Sequence, residues 1–214
     1  MLGPGLFLLL VCTGSIVAGA WIASRDQPSP PRLAGGPCGI PRTKIADYPR
    51  GDVGRIVGTV STDVPPLIAP LTGRPCAAYE VIVNEYIQGE RSWRTVVHQA
   101  EGRPFLVDDG TGRARVDPTG ARLTLSRHHE TRSGVVHPAS PTETAFLALH
   151  GEPTKRRLCE RVFEFREAVV ELGQFVAVMG RGTAPEPIDP TAELMVRAGP
   201  QVSLSITDHP STLT

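Results

Sequence analysis

Hydrophobic and polar positions follow two different rules along this chain. From Leu2 to Ala23 no residue is charged, and the first charge after that run is Arg25. About 20 apolar residues at ~1.5 Å each cross a hydrocarbon core of roughly 30 Å, where a helix satisfies its own backbone polar groups. Trp21 lies near the end of the run, where an amphipathic ring favours the headgroup level. The run predicts a single-pass N-terminal membrane anchor over residues 1–23, with membrane lipid as its partner through residues 2–23. Two other readings stay open. A cleaved signal peptide would use Ala18-Gly19-Ala20, although no Lys or Arg precedes the apolar core. A lipoprotein signal would use Cys12, with the bulky Val11 just before it.

Beyond the run the pattern changes period. Residues 24–44 read as a linker, because Gln27-Pro28-Ser29-Pro30-Pro31 and Gly35-Gly36-Pro37 favour extended backbone. Residues 45–210 read as a β domain. Arg55–Val60 is a short β run, and Cys76–Ile87 is a long one with Tyr79, Val81 and Val83 on one face. Gln88-Gly89-Glu90-Arg91 is a turn, after which Trp93, Thr95 and Val97 alternate with Arg94, Val96 and His98. The two runs predict a long antiparallel hairpin. Phe105-Leu106-Val107 leads through Asp108-Asp109-Gly110-Thr111-Gly112 to a strand carrying Ala114 and Val116. Phe163 and Phe165 alternate with Glu164 and Arg166, which predicts a strand turning at Glu171-Leu172-Gly173 into a second strand, Gln174–Gly180. Short strands follow at Glu193–Arg197 and Val202–Ile206.

One segment obeys helical signals instead. Ser140-Pro141-Thr142-Glu143 is a capping box with proline at the first helical position, and Gly151 stops the helix. Many strands with one short helix predict a mainly β fold: a small antiparallel barrel or sandwich, OB-like, after the N-terminal transmembrane helix.

Charge and chemistry narrow the function classes. Twenty-two Lys and Arg balance 22 Asp and Glu, which argues against nucleic acid as a partner. The four cysteines, Cys12, Cys38, Cys76 and Cys159, form no Cys-x-x-Cys pair. A Cys76–Cys159 disulfide and two isolated thiols are both open. His128-His129 reads as a polar loop, and Asp108-Asp109 as a turn rather than a calcium loop, which needs more oxygen ligands. No Gly-x-Ser-x-Gly, phosphate-binding loop or His-Glu-x-x-His occurs. Glu80, Glu85, Asp108 and Glu167 lie near strand ends, with solvation or turn formation as their ordinary reading. No catalytic, cofactor-binding or metal site is therefore assigned, and no cofactor.

Three stretches together carry a resemblance. They are Ala69-Pro70-Leu71-Thr72-Gly73-Arg74-Pro75-Cys76-Ala77-Ala78-Tyr79, then Phe105–Val116, then Glu167 through Leu172-Gly173-Gln174-Phe175 to Gly180. In order and spacing they resemble the GIDE, or beside-a-membrane, domain of a mitochondrial outer-membrane E3 ubiquitin ligase and of bacterial proteins. The resemblance covers roughly residues 45–210. It implies a membrane-placed β domain that binds or scaffolds a protein partner. In the ligase relatives it implies ubiquitin transfer as well, through a second membrane helix and a zinc-binding RING finger. Here no second apolar run and no series of zinc-ligand residues follows the domain. The leading expectation is a membrane-anchored binding or scaffolding module without chemistry of its own. The alternatives are a ubiquitin ligase and a secreted β domain.

Overall fold

The computed structural model describes residues 40–126, 129–156, 159–184, 192, 194–199 and 203–213. They build one closed barrel and one open sheet. The barrel strands are β1 (Val53–Ser61), β5 (Phe105–Asp108), β6 (Arg113–Val116), β12 (Phe175–Thr183) and β13 (Leu194–Arg197). Their order is β1-β5-β6-β13-β12, and β12 pairs back onto β1 from Val53 opposite Arg181 to Thr59 opposite Phe175. That last ladder removes the free edges an open sheet would leave. All barrel pairs are antiparallel except β13 with β6. Ile56, Val60, Phe105, Val107, Ala114, Val116, Val176, Val178 and Val196 fill the interior, one from every second position. Two further strands extend the sheet outside the barrel: β14 (Ser205–Thr207) lies on β12, and β7 (Arg122–Thr124) lies parallel to β14.

The open sheet contains β2 (Leu67–Ile68), β3 (Pro75–Ile87), β4 (Ser92–Gly102), β8 (His129–Ser133) and β11 (Phe163–Glu171). Strand β3 is central, with β11 and then β8 on one side and β2 and β4 on the other. One face packs Tyr79, Val81, Val83, Phe163 and Phe165 against Phe146 and Leu147 of helix α1 (Pro141–Leu149). A two-strand ribbon, β9 (Lys155–Arg156) with β10 (Cys159–Glu160), follows this helix, and helix α2 (Pro210–Leu213) closes the described chain. The capping box forms as expected: Glu143 N donates to Ser140 Oγ at 3.2 Å, and Ser140 N donates to Glu143 Oε2 at 2.7 Å. The β11–β12 hairpin also forms as expected, with Gly173 taking φ of 81° in its turn.

Several expectations change. The single-pass membrane localisation is corrected: among the described residues no helix is long and apolar enough to cross a membrane. A span needs about 20 residues, whereas α1 has nine and α2 has four. Residues 2–23 themselves lie outside the described residues, as do most of the linker and His128. Residue 129 joins β8 instead of a loop. In β4 the expected alternation breaks, because Val83 pairs with Val97 and the next residue, Asn84, pairs with Thr95. Val96 is the extra residue of a bulge, so Trp93 and Thr95 point to the face opposite Val97.

The start of the described chain is locked to the barrel by an aromatic plug. Tyr48 lies over Gly54 and Gly182, where an added Cβ would come within 2.8 and 2.5 Å of its ring. Its hydroxyl donates to Gly180 O at 2.8 Å and accepts from Gly54 N at 3.0 Å. Burial pushes its ionisation up to about 12, so the hydroxyl keeps its proton and the donated bond throughout the physiological range.

Candidate functional site

The four carboxylates noted in the sequence do not converge. Glu85 is held by Arg161 Nε and Nη2 at 2.6 and 2.8 Å and by Arg94 Nη2 at 2.7 Å. Glu167 is fully buried and accepts from the backbone of Leu71 and Thr72 at 2.7 and 3.0 Å. It ties the 69–74 turn to the sheet and closes it over Cys76, a free buried thiol pushed up to about 11 by burial and the nearby carboxylates. Glu80 pairs with His98 at 2.8 Å. Asp108 accepts from Gly110 N and pairs with Arg113 Nε at 3.2 Å. Asp109 accepts from Thr111 and from the backbone of Ile45, so its oxygens fix a turn. A cleft of about 500 Å³ opens beside that turn, lined by Thr59, Ser61, Arg113 and Phe175. Among the described residues only Glu80 of the four carboxylates is paired with a histidine; the others are held by arginines or backbone N–H groups. Among the described residues no three His, Cys, Asp or Glu side chains come together as a metal site.

The stronger arrangement is the outer face of the open sheet, away from α1. Register places its residues in cross-strand rows. Thr95, Asn84, Glu164 and Arg132 form one row across β4, β3, β11 and β8; His98, Ile82, Arg166 and Glu130 form the next. Trp93 and Tyr86 are paired beyond the first row, their rings 5.3 Å apart. Glu164 is the hub and only 2% exposed. It accepts from Arg132 Nε and Nη2 at 3.1 and 2.7 Å and from Asn84 Nδ2 at 3.3 Å, and it pairs with Arg166 Nη2 at 2.6 Å. Burial alone would push the Glu164 carboxyl up. The hydrogen bonds from Arg132 and Asn84, with the arginine charges, outweigh burial and hold it below the usual carboxylate range. Thr95 Oγ1 donates to Asn84 Oδ1 at 2.9 Å, which completes the row.

The result is a preorganised polar platform with one large apolar ring. Arg132 lies over the Trp93 indole, 5.5 Å from its centroid, and Trp93 is 41% exposed. An indole kept half in water beside a fixed guanidinium is an anchor of the kind found in protein interfaces. Such a surface can dock a partner. The same face carries His98, whose Nε2 lies 2.8 Å from Glu80 Oε1; that hydrogen bond, against burial, raises the imidazole above its ordinary value. The strand alternation at Glu164 and Arg166 was the sequence signal for this face. What it concealed is Arg132, whose strand comes from another part of the chain.

The sequence model of the GIDE family, described as an E3 ubiquitin ligase, matches residues 82–188. No curated protein and no solved structure matches the chain. The matched segment runs from within β3 through β12 and includes the Trp93, Arg132 and Glu164 side chains of the platform. It covers half of the 214 residues, and the chain belongs to the GIDE family.

Proposed function

We infer that this chain is a binding and scaffolding module that docks a protein partner on the Trp93–Arg132 platform and contributes no catalytic group of its own. The observation that carries this reading is the half-exposed Trp93 on a face whose charges are otherwise paired. Preorganised side chains lose little freedom on binding, so a small anchor yields more of its interaction free energy. A photo-crosslinking residue at position 93 is expected to capture a defined protein, and Arg132→Glu in the same chain should abolish that adduct. The same residue at exposed Val136, on the loop after β8, should not capture it. An adduct indifferent to Arg132→Glu would remove the platform from the reading.

Ubiquitin transfer by the chain itself is the second reading, favoured by the family's description. A RING finger folds around two zinc ions held by paired Cys and His ligands, and this sequence contains no Cys-x-x-Cys pair. The isolated chain should therefore purify without stoichiometric zinc and fail to discharge ubiquitin from any E2 enzyme. Zinc retention together with E2-dependent chain formation would establish the enzyme reading. In the binding reading, transfer in the cell comes from a separate RING protein recruited to this module.

A further inference from the structure

Strand β4 is the long open edge of the second sheet. One of its sides pairs with β3 from Ala78 opposite Gly102 to Ile87 opposite Ser92, and the other takes no strand among the described residues. Strand β2 lies on the same side of β3 but pairs with Cys76 and Pro75, short of the β4 ladder. Within β4 only Val97 is buried. The strand has no proline and no lysine, two devices by which natural edges avoid pairing. Its unpaired amides and carbonyls are a template for one more strand.

The sequence of β4 is complementary to itself, with its bulge included. Consider two copies antiparallel about an axis at His98. Val97 then meets Gln99 of the second copy. Val96 is the extra residue of the bulge in both copies, so the next pairs are Thr95 with Ala100 and Arg94 with Glu101. Every pair joins residues of the same sheet face, because Val97, Gln99, Arg94 and Glu101 share the face of Val83 and Tyr79, while Thr95, His98 and Ala100 share the other. Without the bulge, Arg94 and Glu101 would lie on opposite faces and could not meet. The axis repeats the Arg94–Glu101 contact, so two opposite-charge pairs form at once. Arg94 and Glu101 are both exposed on β4. Arg94 also holds Glu85 at 2.7 Å and Glu101 accepts from Tyr79 Oη at 2.8 Å, so the contact across the axis is a second partner for each. His98 meets its own copy, and each keeps its Glu80 partner at 2.8 Å.

We propose that two copies of this chain associate through their β4 strands, antiparallel and in register about His98, so that the two open sheets become one continuous sheet. The occupant of this edge is a second copy because the charge pattern and the bulge match the strand to itself. The ladder over residues 94–101 is small beside the about 20–30 residues a side of a stable interface. Association is therefore weak, in the range of roughly 10 μM.

The test is sedimentation of the full chain from about 1 to 200 μM, a range that brackets this affinity. A monomer–dimer equilibrium is expected. Arg94→Glu and Glu101→Arg should each weaken it about tenfold, since each turns two attractive pairs into repulsive ones. The double variant Arg94→Glu, Glu101→Arg should restore it. Because Arg94→Glu also removes a partner of Glu85, thermal melting must confirm that all three fold. Arg94→Gln, which loses the attraction without adding repulsion, should weaken association less than Arg94→Glu. In the unaltered protein, amide exchange along β4 should slow as concentration rises. A monomer throughout the range overturns the proposal. So does association that neither single variant weakens, which would place the contact elsewhere, and so does a double variant that stays monomeric.

Discussion

Replacing Arg161 by methionine is expected to cost about 3–5 kcal/mol of stability, the usual result of leaving one half of a buried ion pair alone. Arg161 has a side chain only 6% exposed and uses its whole fork. Nε and Nη2 hold Glu85, while Nη1 donates to Pro153 O and pairs with Glu152, both at 2.8 Å. Its guanidinium also lies 4.7 Å over the Phe163 ring. Methionine fills similar volume but leaves Glu85 with Arg94 alone, whose side chain is largely in solvent. Lysine should not rescue the loss, because one ammonium cannot reproduce two parallel bonds and a third at an angle to them. Urea unfolding of the two variants measures this directly. An Arg161→Met protein within about 1 kcal/mol of the parent would show that solvent already reaches the pair.

The same cluster sets an acid limit. The Arg161 hydrogen bonds, against burial and aided by Arg94, lower the Glu85 carboxyl from its ordinary 4.5 to about 2. A carboxyl depressed in the folded state binds its proton more readily when unfolded. Its stabilisation is complete above about pH 4.5 and is lost as pH falls through about 2. At ~1.4 kcal/mol per pH unit the shift corresponds to roughly 3 kcal/mol. Stability measured between pH 5 and pH 2 should fall more steeply in the parent than in Arg161→Met.

The second large effect is expected at Glu167. Glu167→Ala removes the acceptor of two backbone N–H groups, those of Leu71 and Thr72, inside a closed turn. Each orphaned buried donor costs about 1–3 kcal/mol, and a cavity adds to it. A loss of roughly 3–5 kcal/mol is therefore expected, concentrated in the 69–74 turn. Glu167→Gln keeps one oxygen acceptor and should recover part of it. The Cys76 thiol lies under this turn and reports on it: its alkylation should accelerate in Glu167→Ala and stay slow in the parent. Equal thiol reactivity in both would mean that the turn holds without the carboxylate.

Local signals in the sequence were sufficient for local structure. The Ser140–Glu143 box, the hairpin turn at Gly173 and the paired phenylalanines at 163 and 165 each sit within a few residues of the partner that gives them meaning. Barrel closure was not legible in the same way, because the Val53–Arg181 pairing leaves no trace in either strand's own pattern. The Val96 bulge was hidden for a related reason: alternation continues through the sequence, and only the register against β3 shows the extra residue. The polar platform was half visible. Glu164 and Arg166 marked a polar face, yet polarity alone predicts solvent exposure. Arg132 and Asn84, distant in sequence, are what bury Glu164. Glu167 was seen in a motif, but its task belongs to a turn that precedes it by nearly half the chain.

Barrel closure also constrains how this protein is made and dissected. The segment matched by the family carries β5, β6 and β12 but neither β1 nor β13. Expressed alone, it would present four unpaired barrel edges, one each on β5 and β6 and both on β12, with the apolar residues of those strands open to water. The stretch matched by the family is thus shorter than the closed barrel. During synthesis β1 emerges early and waits for β12, and the sheet cannot close until β13 has also left the ribosome. Contacts this distant in sequence make for slow folding. Over that interval Ile56, Val60 and Val107 are exposed on a growing chain, and chaperone demand should peak there rather than in the finished protein.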